Sequence, residues 1–218
     1  MTLFFYNKDF IEPVIVIPTI DIILCRLFTK KARWFQLHSI INFIISYYCI
    51  NDTILLFKSP IKNIVNNKSD VIIYYITLLH LYHLRIKLIL SRIEIIHHIL
   101  FVLLGVLPCI YYWNNNIISL WIISGCGIPG GIDYGLLTLV KHNKISSIRQ
   151  KNISSVLNNY IRYPLGMYGL TVSFIAFQEN IIIANKIFFI YISILIYSNI
   201  SYFNKLSIEN HINSKLLY

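Results

Sequence analysis

Long apolar stretches are the feature that most constrains the fold of this chain. Seven of them, between 15 and 24 residues long, are separated by short polar segments. They cover residues 10–28, 34–57, 71–90, 94–113, 117–140, 164–178 and 181–203. A helix needs about 20 apolar residues to cross the hydrocarbon core of a bilayer, whereas the strands of a membrane barrel are about half as long and alternate in polarity. The pattern therefore predicts an all-α, polytopic membrane protein, a bundle of about seven transmembrane helices.

The overall composition excludes an ordinary soluble domain. Hydrophobic residues make up 56% of the chain and charged residues 13%, and the mean hydropathy is +0.64. Soluble domains are about 45–50% apolar and about 25% charged, and disordered chains deviate in the opposite direction. The four cysteines all lie inside apolar stretches without CxxC spacing, so neither a disulfide framework nor a zinc site is expected.

The basic residues predict an orientation rather than a nucleic-acid partner. The net charge is +10, but the Lys and Arg residues lie mostly between the apolar stretches. If the N-terminus is lumenal and the C-terminus cytosolic, only five of the nineteen fall on the lumenal side: Lys8, Lys58, Lys62, Lys68 and Lys186. This asymmetry satisfies the positive-inside rule. Asp9 and Glu12 are unlike a cleaved signal peptide, and the sequon at 67–69 falls in a lumenal loop.

Polar side chains inside the apolar stretches predict a cavity in the cytosolic half of the membrane. At 1.5 Å per residue, side chains from four stretches lie within about 5–15 Å of the cytosolic ends of their helices. These are His38, Asn42, His80, His83, His97, His98 and Asp133. Ionisable groups in a membrane usually face a protein interior or a cavity. We therefore expect these side chains to line one site.

The spacing within the stretches refines this expectation. His80, His83 and Lys87 share one helix face. Glu94 lies three and four residues before the histidine pair, so it is expected to bond to His97 or His98. Because neighbours on an α-helix point about 100° apart, we expect one ring of the pair to face the cavity and the other to face a neighbouring helix.

Two plainer interpretations stand beside the cavity. A lone membrane histidine such as His38 or His142 is more often a helix–helix hydrogen bond. The segment His80-Leu81-Tyr82-His83 followed by His97-His98 resembles in part the histidine boxes of membrane di-iron hydroxylases, and four imidazoles could hold one metal ion. Those enzymes use about eight histidines and the chain has seven, so no metal site is predicted.

The order of these motifs resembles the TLC domain family (TRAM, LAG1 and CLN8 homology). The similarity covers about residues 30–203 and is carried by five short segments in chain order. They are Arg33-Trp34-Phe35-Gln36-Leu37-His38, His80-Leu81-Tyr82-His83, Glu94-Ile95-Ile96-His97-His98, Gly130-Gly131-Ile132-Asp133-Tyr134 and the segment from Asn158 to Pro164. The double histidine followed by an intramembrane aspartate is the most specific part.

The resemblance implies a fold and a location. It implies a TLC-type six-helix barrel over residues 30–203, preceded by an N-terminal segment with one extra helix (1–29) and followed by a cytosolic tail (204–218). It also implies the endoplasmic reticulum or a related endomembrane. The best-known enzymes of the family, the ceramide synthases of sphingolipid metabolism, transfer an acyl chain from acyl-CoA to a long-chain amine. By this resemblance His97 or His98 is base or nucleophile, and Asp133 orients or stabilises charge.

The chain departs from the synthases where their acidic motif continues, because Leu136, Leu137 and Val140 follow Asp133. We therefore expect first a protein that binds or regulates lipids through a polar-lined cavity. A ceramide synthase-like acyltransferase with acyl-CoA as co-substrate is the alternative, and a transporter is the third. A lipid or long-chain acyl ligand is the expected partner, no other cofactor is expected, and a homodimer stays open. The predicted catalytic residues are His97, His98 and Asp133, and the predicted cavity-lining residues are His38, Asn42, His80, His83, Glu94 and Arg162.

Overall fold

The helices of this protein follow one another along nearly the whole chain. A computed structural model describes residues 8–28, 30–65, 68–86, 91–182 and 185–216, and these residues contain helices and no strand. The α-helices are α1 (Lys8–Leu27), α2 (Arg33–Lys58), α3 (Asp70–Ile86), α4 (Arg92–Ile96), α5 (Cys109–Tyr112), α6 (Ile118–Gly125), α7 (Gly127–Lys141), α8 (Ser147–Leu157), α9 (Tyr163–Gln178) and α10 (Lys186–Leu216). Two π-helical segments, π1 (His97–Val106) and π2 (Asn158–Arg162), and a 3₁₀ turn (Lys30–Ala32) continue these helices. The prediction of an all-α chain is confirmed.

Four helical segments are long and apolar enough to cross a bilayer. They cover Lys30–Lys58, Arg92–Tyr112, Ile118–Lys141 and Lys186–Lys215, and they match the second, fourth, fifth and seventh predicted spans. A shorter apolar helix covers Asp70–Leu84 and matches the described part of the third span. Lys87, predicted to share a face with His80 and His83, lies outside the described residues. The four segments are those of an integral membrane protein, as expected from the sequence.

Two segments differ from the expected pattern. The chain is helical without interruption from Ser147 to Gln178, where the sequence predicted a cytosolic loop up to residue 163. The side chain of Ser146 caps this helix by accepting a hydrogen bond from the backbone N–H of Arg149 at 3.2 Å, as N-cap serines do. Helix α10 also continues to Leu216, beyond the predicted end of the seventh span at residue 203. Both predictions followed hydropathy, and polar helices extend past the apolar part.

Helix α2 is the centre of the bundle, since it packs against α1, α3, α6 and α7. Its residues Leu37, Ile41 and Ile45 are spaced four apart and are completely buried, as expected for the core face of a helix. Large apolar side chains on the perimeter, such as Tyr47 and Ile187, are more than three-quarters exposed. Such an apolar exterior suits a bundle surrounded by lipid, because lipid tails are as apolar as the side chains.

The carboxylate of Asp21 joins three helices in the interior. Its side chain on α1 is 1% exposed and forms an ion pair with Arg33 at the start of α2. The Nε of Arg33 donates to Oδ1 at 2.8 Å, and the hydroxyl of Tyr82 on α3 donates to Oδ2 at 2.8 Å. Asp21 lies in the first predicted span, and both oxygens of its buried carboxylate are hydrogen-bonded to neighbouring helices.

A second carboxylate of α1 is bonded in the same manner. The Oε1 of Glu12 accepts hydrogen bonds from the hydroxyls of Tyr48 on α2, at 2.5 Å, and Tyr75 on α3, at 2.9 Å. Glu12 and Asp21 thus have partners on the two helices against which α1 packs.

Lys68 fastens the beginning of α3 to α5 on the side predicted to be lumenal. Its Nζ donates to the backbone carbonyls of Cys109 and Ile110, the latter at 2.7 Å, and lies 3.3 Å from a carboxylate oxygen of Asp70. Burial disfavours the charged ammonium and lowers the pKa of Lys68. The lysine acts here as a structural clamp.

Candidate functional site

A cavity of about 240 Å³ lies inside the bundle, and we call it the histidine cavity. Its lining includes all nine residues predicted as catalytic or cavity-lining: His38, Asn42, His80, His83, Glu94, His97, His98, Asp133 and Arg162. They come from α2, α3, α4, π1, α7 and π2. The structure thus brings together side chains that lie up to 124 positions apart in the sequence.

The local fold at the histidine pair begins with a capping box. The Oγ of Ser91 accepts from the backbone N–H of Glu94, and the Glu94 carboxylate accepts from the backbone N–H of Ser91 at 2.7 Å. This reciprocal arrangement starts a helix. The bond predicted between Glu94 and the pair is made by the main chain, because the Nδ1 of His98 lies 2.5 Å from the Glu94 carbonyl oxygen.

Both rings of the histidine pair line the cavity, so the expectation that one would face a neighbouring helix is wrong. The two ring centroids lie 6.0 Å apart. The backbone of His97 is still α-helical, so the reason lies in the extent of the cavity, which reaches from α3 to α10. The ring of His98 lies 5.0 Å from that of His80 on α3, and the ring of His97 lies 5.7 Å from that of Phe203 on α10.

Five imidazoles form a cluster on one wall. His80 is at its centre, with ring centroids 5.0 Å from His98 and 5.5 Å from both His97 and His38. The ring of His83 lies 5.4 Å from that of His98. His38 is therefore part of the cluster, whereas His142 lies outside the cavity and shares a 3.2 Å hydrogen bond with Gln36.

Two of these rings have a defined tautomer. The Nδ1 of His80 lies 2.7 Å from the carbonyl oxygen of Ile76, and that of His98 bonds to the carbonyl of Glu94. A carbonyl only accepts, so each Nδ1 carries the proton and each neutral ring keeps Nε2 as an acceptor. The cavity therefore contains imidazole nitrogens able to accept a proton or a hydrogen bond.

Several buried polar atoms of the lining have no hydrogen-bond partner among the described residues. They are His38 Nε2, His97 Nδ1, His98 Nε2, Arg162 Nε and Asn199 Oδ1. Each such atom costs about 1–3 kcal/mol when it stays unsatisfied. Five of them in one cavity indicate a place that a ligand or ordered water completes.

The predicted catalytic aspartate lines the same cavity but is bonded elsewhere. The Oδ1 of Asp133 accepts from the amide of Gln150 at 3.0 Å. Arg162 donates from Nη1 to the Oδ1 of Asn158 at 2.8 Å. None of the ion pairs between described residues includes Arg162. Asp133 therefore adds charge to the cavity and is not hydrogen-bonded to either histidine of the pair.

Gly130 explains part of the glycine-rich motif. A Cβ at this position would lie 2.8 Å from the amide nitrogen of Asn42, so a side chain there would displace Asn42. Gly130 therefore permits the close approach of α7 to α2 at this point. Sequence reasoning overlooked Asn199, whose only signal was an uncharged polar residue inside the apolar seventh span.

Two further cavities adjoin the histidine cavity. An apolar one of about 90 Å³ is lined by residues such as Val102, Val106, Ile122 and Leu195. A polar basin of about 340 Å³ is lined by Gln150, Lys151, Asn158, Ser207 and Asn210 among others, and it shares Asp133, Arg162 and Phe203 with the histidine cavity. The histidine cavity is therefore flanked by an apolar cavity on one side and by a polar basin on the other.

Within the described part of the chain, no three His, Cys, Asp or Glu side chains are arranged to hold a metal ion. The rings of the cluster contact one another edge to face or at a tilt. What the arrangement offers chemically is a set of acceptors and donors for a polar group, with a base-competent nitrogen at His98.

Fold and site together define an integral membrane helical bundle with a polar cavity in its interior. No family model matches the chain, and no curated protein or solved structure matches it. The similarity to the TLC family therefore stays a prediction from the motifs.

Proposed function

We propose that this chain is a seven-span membrane protein with a TLC-type barrel, and that it binds a lipid whose polar group occupies the histidine cavity. The observation that carries the proposal is the set of five buried polar atoms without partners in that cavity. Buried polar atoms in proteins are nearly always hydrogen-bonded. Several such atoms without partners in one cavity are therefore best explained by a bound ligand that supplies the bonds.

A lipid fits this place better than a water-soluble ligand. The helices around the cavity include all four segments apolar enough to span a membrane, and one flank of the cavity is apolar. A molecule that reaches it through the bilayer brings a hydrocarbon part as well as a polar group. Regulation of membrane lipids in the endoplasmic reticulum would follow from such binding.

The five polar atoms without partners also indicate which polar group the ligand carries. His98 Nε2 and Asn199 Oδ1 need hydrogen-bond donors, whereas Arg162 Nε needs an acceptor. A head group that both donates and accepts, such as a hydroxyl or an amide, satisfies both kinds. The proposed ligand therefore carries such a group at the end of a hydrocarbon.

The test is lipid retention by the purified full chain, measured by native mass spectrometry. Stearyl alcohol, stearamide and plain octadecane are offered separately, since they differ only in the head group. We expect retention of the first two and about tenfold weaker retention by His98→Ala, which corresponds to one lost hydrogen bond. His142→Ala is the matched control because His142 lies outside the cavity, and it should bind as the unaltered protein does. Equal retention of octadecane, or no retention of any probe, would refute the proposal.

Acyl transfer is a second candidate, favoured by one observation. His98 lines the cavity, and its tautomer leaves a buried Nε2 without a partner, which is the form that a general base requires. In this reaction the amine nitrogen attacks the thioester carbonyl, Nε2 takes the amine proton, and the thiolate of CoA leaves and is protonated. The amide bond forms as the carbon–sulfur bond breaks.

This candidate is tested with labelled acyl-CoA and a long-chain amine. If it holds, His98→Ala removes turnover, and Asp133→Asn lowers it much less because Asp133 bonds to Gln150 rather than to the pair. Turnover that survives His98→Ala and His97→Ala together excludes the mechanism. Lipid retention without turnover leaves binding as the function.

A further inference from the structure

The histidine cavity and the apolar cavity share a common wall. Six residues line both of them: His80, His97, Gly125, Cys126, Asn199 and Ile200. We call this shared set of six residues the waist. Any molecule that occupies both cavities at once passes between these side chains.

Gly125 is the smallest member of the waist and lies at a break in the helix. It is the last residue of α6, and α7 begins at Gly127. The cause of the break is Pro129, which has no N–H to donate to the carbonyl of residue 125 and whose ring collides with that carbonyl in a continuous helix. The break between α6 and α7 therefore lies where the two cavities meet.

The space beside Gly125 is unusual among the glycines of the chain. A Cβ built there meets no atom within 4 Å, whereas one at Gly127 would lie 2.7 Å from Ile123 and one at Gly166 would lie 2.9 Å from Ile200. Helix packing accounts for those two glycines. No neighbouring side chain occupies the space beside Gly125, so this space can hold part of a ligand.

We infer that Gly125 is the aperture through which a single unbranched hydrocarbon tail passes from the histidine cavity into the apolar cavity. This inference rests on the proposed function and adds the class of lipid. The apolar cavity is small, at about 90 Å³, and its walls outside the waist are mostly aliphatic side chains, together with Phe101, Cys109 and Trp121. It accommodates one chain rather than a sterol ring system or two chains. The side chain at position 125 then sets how much of the tail is buried.

The experiment measures chain-length preference in variants of Gly125. The purified full chain is exposed to an equimolar series of octanol, dodecanol, hexadecanol and octadecanol, and the retained species are counted by native mass spectrometry. Gly125→Ala and Gly125→Leu add side chains of increasing size into open space. Ser198→Leu, on the exposed face of α10, adds similar bulk outside the bundle and is the matched control.

The expected result is graded. Each methylene that is kept out of an apolar site costs about fourfold in affinity, so exclusion of two methylenes by Gly125→Leu weakens the longest alcohols about fifteenfold relative to octanol. Gly125→Ala gives a smaller change in the same direction, and Ser198→Leu gives none. An unchanged chain-length profile in a folded Gly125→Leu protein, as judged by its elution and circular dichroism, would overturn the aperture while lipid binding stands. If the unaltered protein retains no alcohol of the series, the proposed function itself fails.

Discussion

Helix α1 and the histidine cavity both place ionisable side chains inside the helical bundle, and they do so in opposite ways. In α1, the carboxylates of Asp21 and Glu12 each receive two or more bonds from neighbouring helices. In the cavity, five buried polar atoms have no partner among the described residues. The first arrangement is complete without a ligand and the second is not.

This difference separates polar residues that stabilise the fold from polar residues that are available to bind a ligand. A buried charge costs several kcal/mol unless it is paired, and those of α1 are paired with groups that join that helix to α2 and α3. The five unpartnered atoms of the cavity residues form no hydrogen bond to a neighbouring helix among the described residues. Substitutions in the two regions should therefore affect different properties, stability in the first and ligand binding in the second.

The largest loss of stability is expected from Arg33→Met. It leaves the buried Asp21 carboxylate without its ion pair, and breaking a buried pair from one side costs about 3–5 kcal/mol. Unfolding in mixed micelles measures the change. Asp21→Asn combined with Arg33→Met should restore part of the loss, because no unpaired charge remains. A loss below about 1 kcal/mol for Arg33→Met would show that the ion pair is not part of the packing.

A smaller loss is expected from Tyr75→Phe. It removes only the hydroxyl that donates to Glu12, and hydrogen bonds between membrane helices contribute about 0.6 kcal/mol on average and at most about 1.7 kcal/mol. The same unfolding measurement should show a loss of about 1 kcal/mol. Lipid retention is the second readout and should not change, because Tyr75 lies outside the histidine cavity.

The smallest effect on stability is expected from His98→Phe. The variant loses the bond from Nδ1 to the Glu94 carbonyl but also removes the unsatisfied Nε2, and these two contributions are opposite in sign and similar in size. We expect a change within about 0.5 kcal/mol together with a strong loss of lipid retention. A large destabilisation with retention intact would place His98 with the structural residues and remove the contrast.

The cavity residues were predictable because depth in a membrane follows from position in a helix. His80, His98 and Asp133 lie on three different helical segments, yet their distances from the cytosolic ends already placed them at one level. Apolar length likewise predicted the long helices. These features depend on local regularity, which a sequence displays directly.

What the sequence could not show depends on the tertiary arrangement of the helices. Both His97 and His98 line the cavity because it reaches from α3 to α10, and nothing in the sequence around the pair shows that extent. The bond from Asp133 to Gln150 arises because α8 is helical where polar composition predicted a loop. The waist at Gly125 requires knowledge of which helices face each other.

The most direct test of the account is stabilisation by a lipid of stated chemistry. Ligand present at about 100 times its dissociation constant stabilises a folded protein by about 2.7 kcal/mol. With stearyl alcohol at saturation, the unaltered protein and Tyr75→Phe should both gain about this amount against unfolding, and His98→Phe should gain little. Equal gains in all three proteins, or none in any, would contradict the claim that the histidine cavity is where the lipid binds.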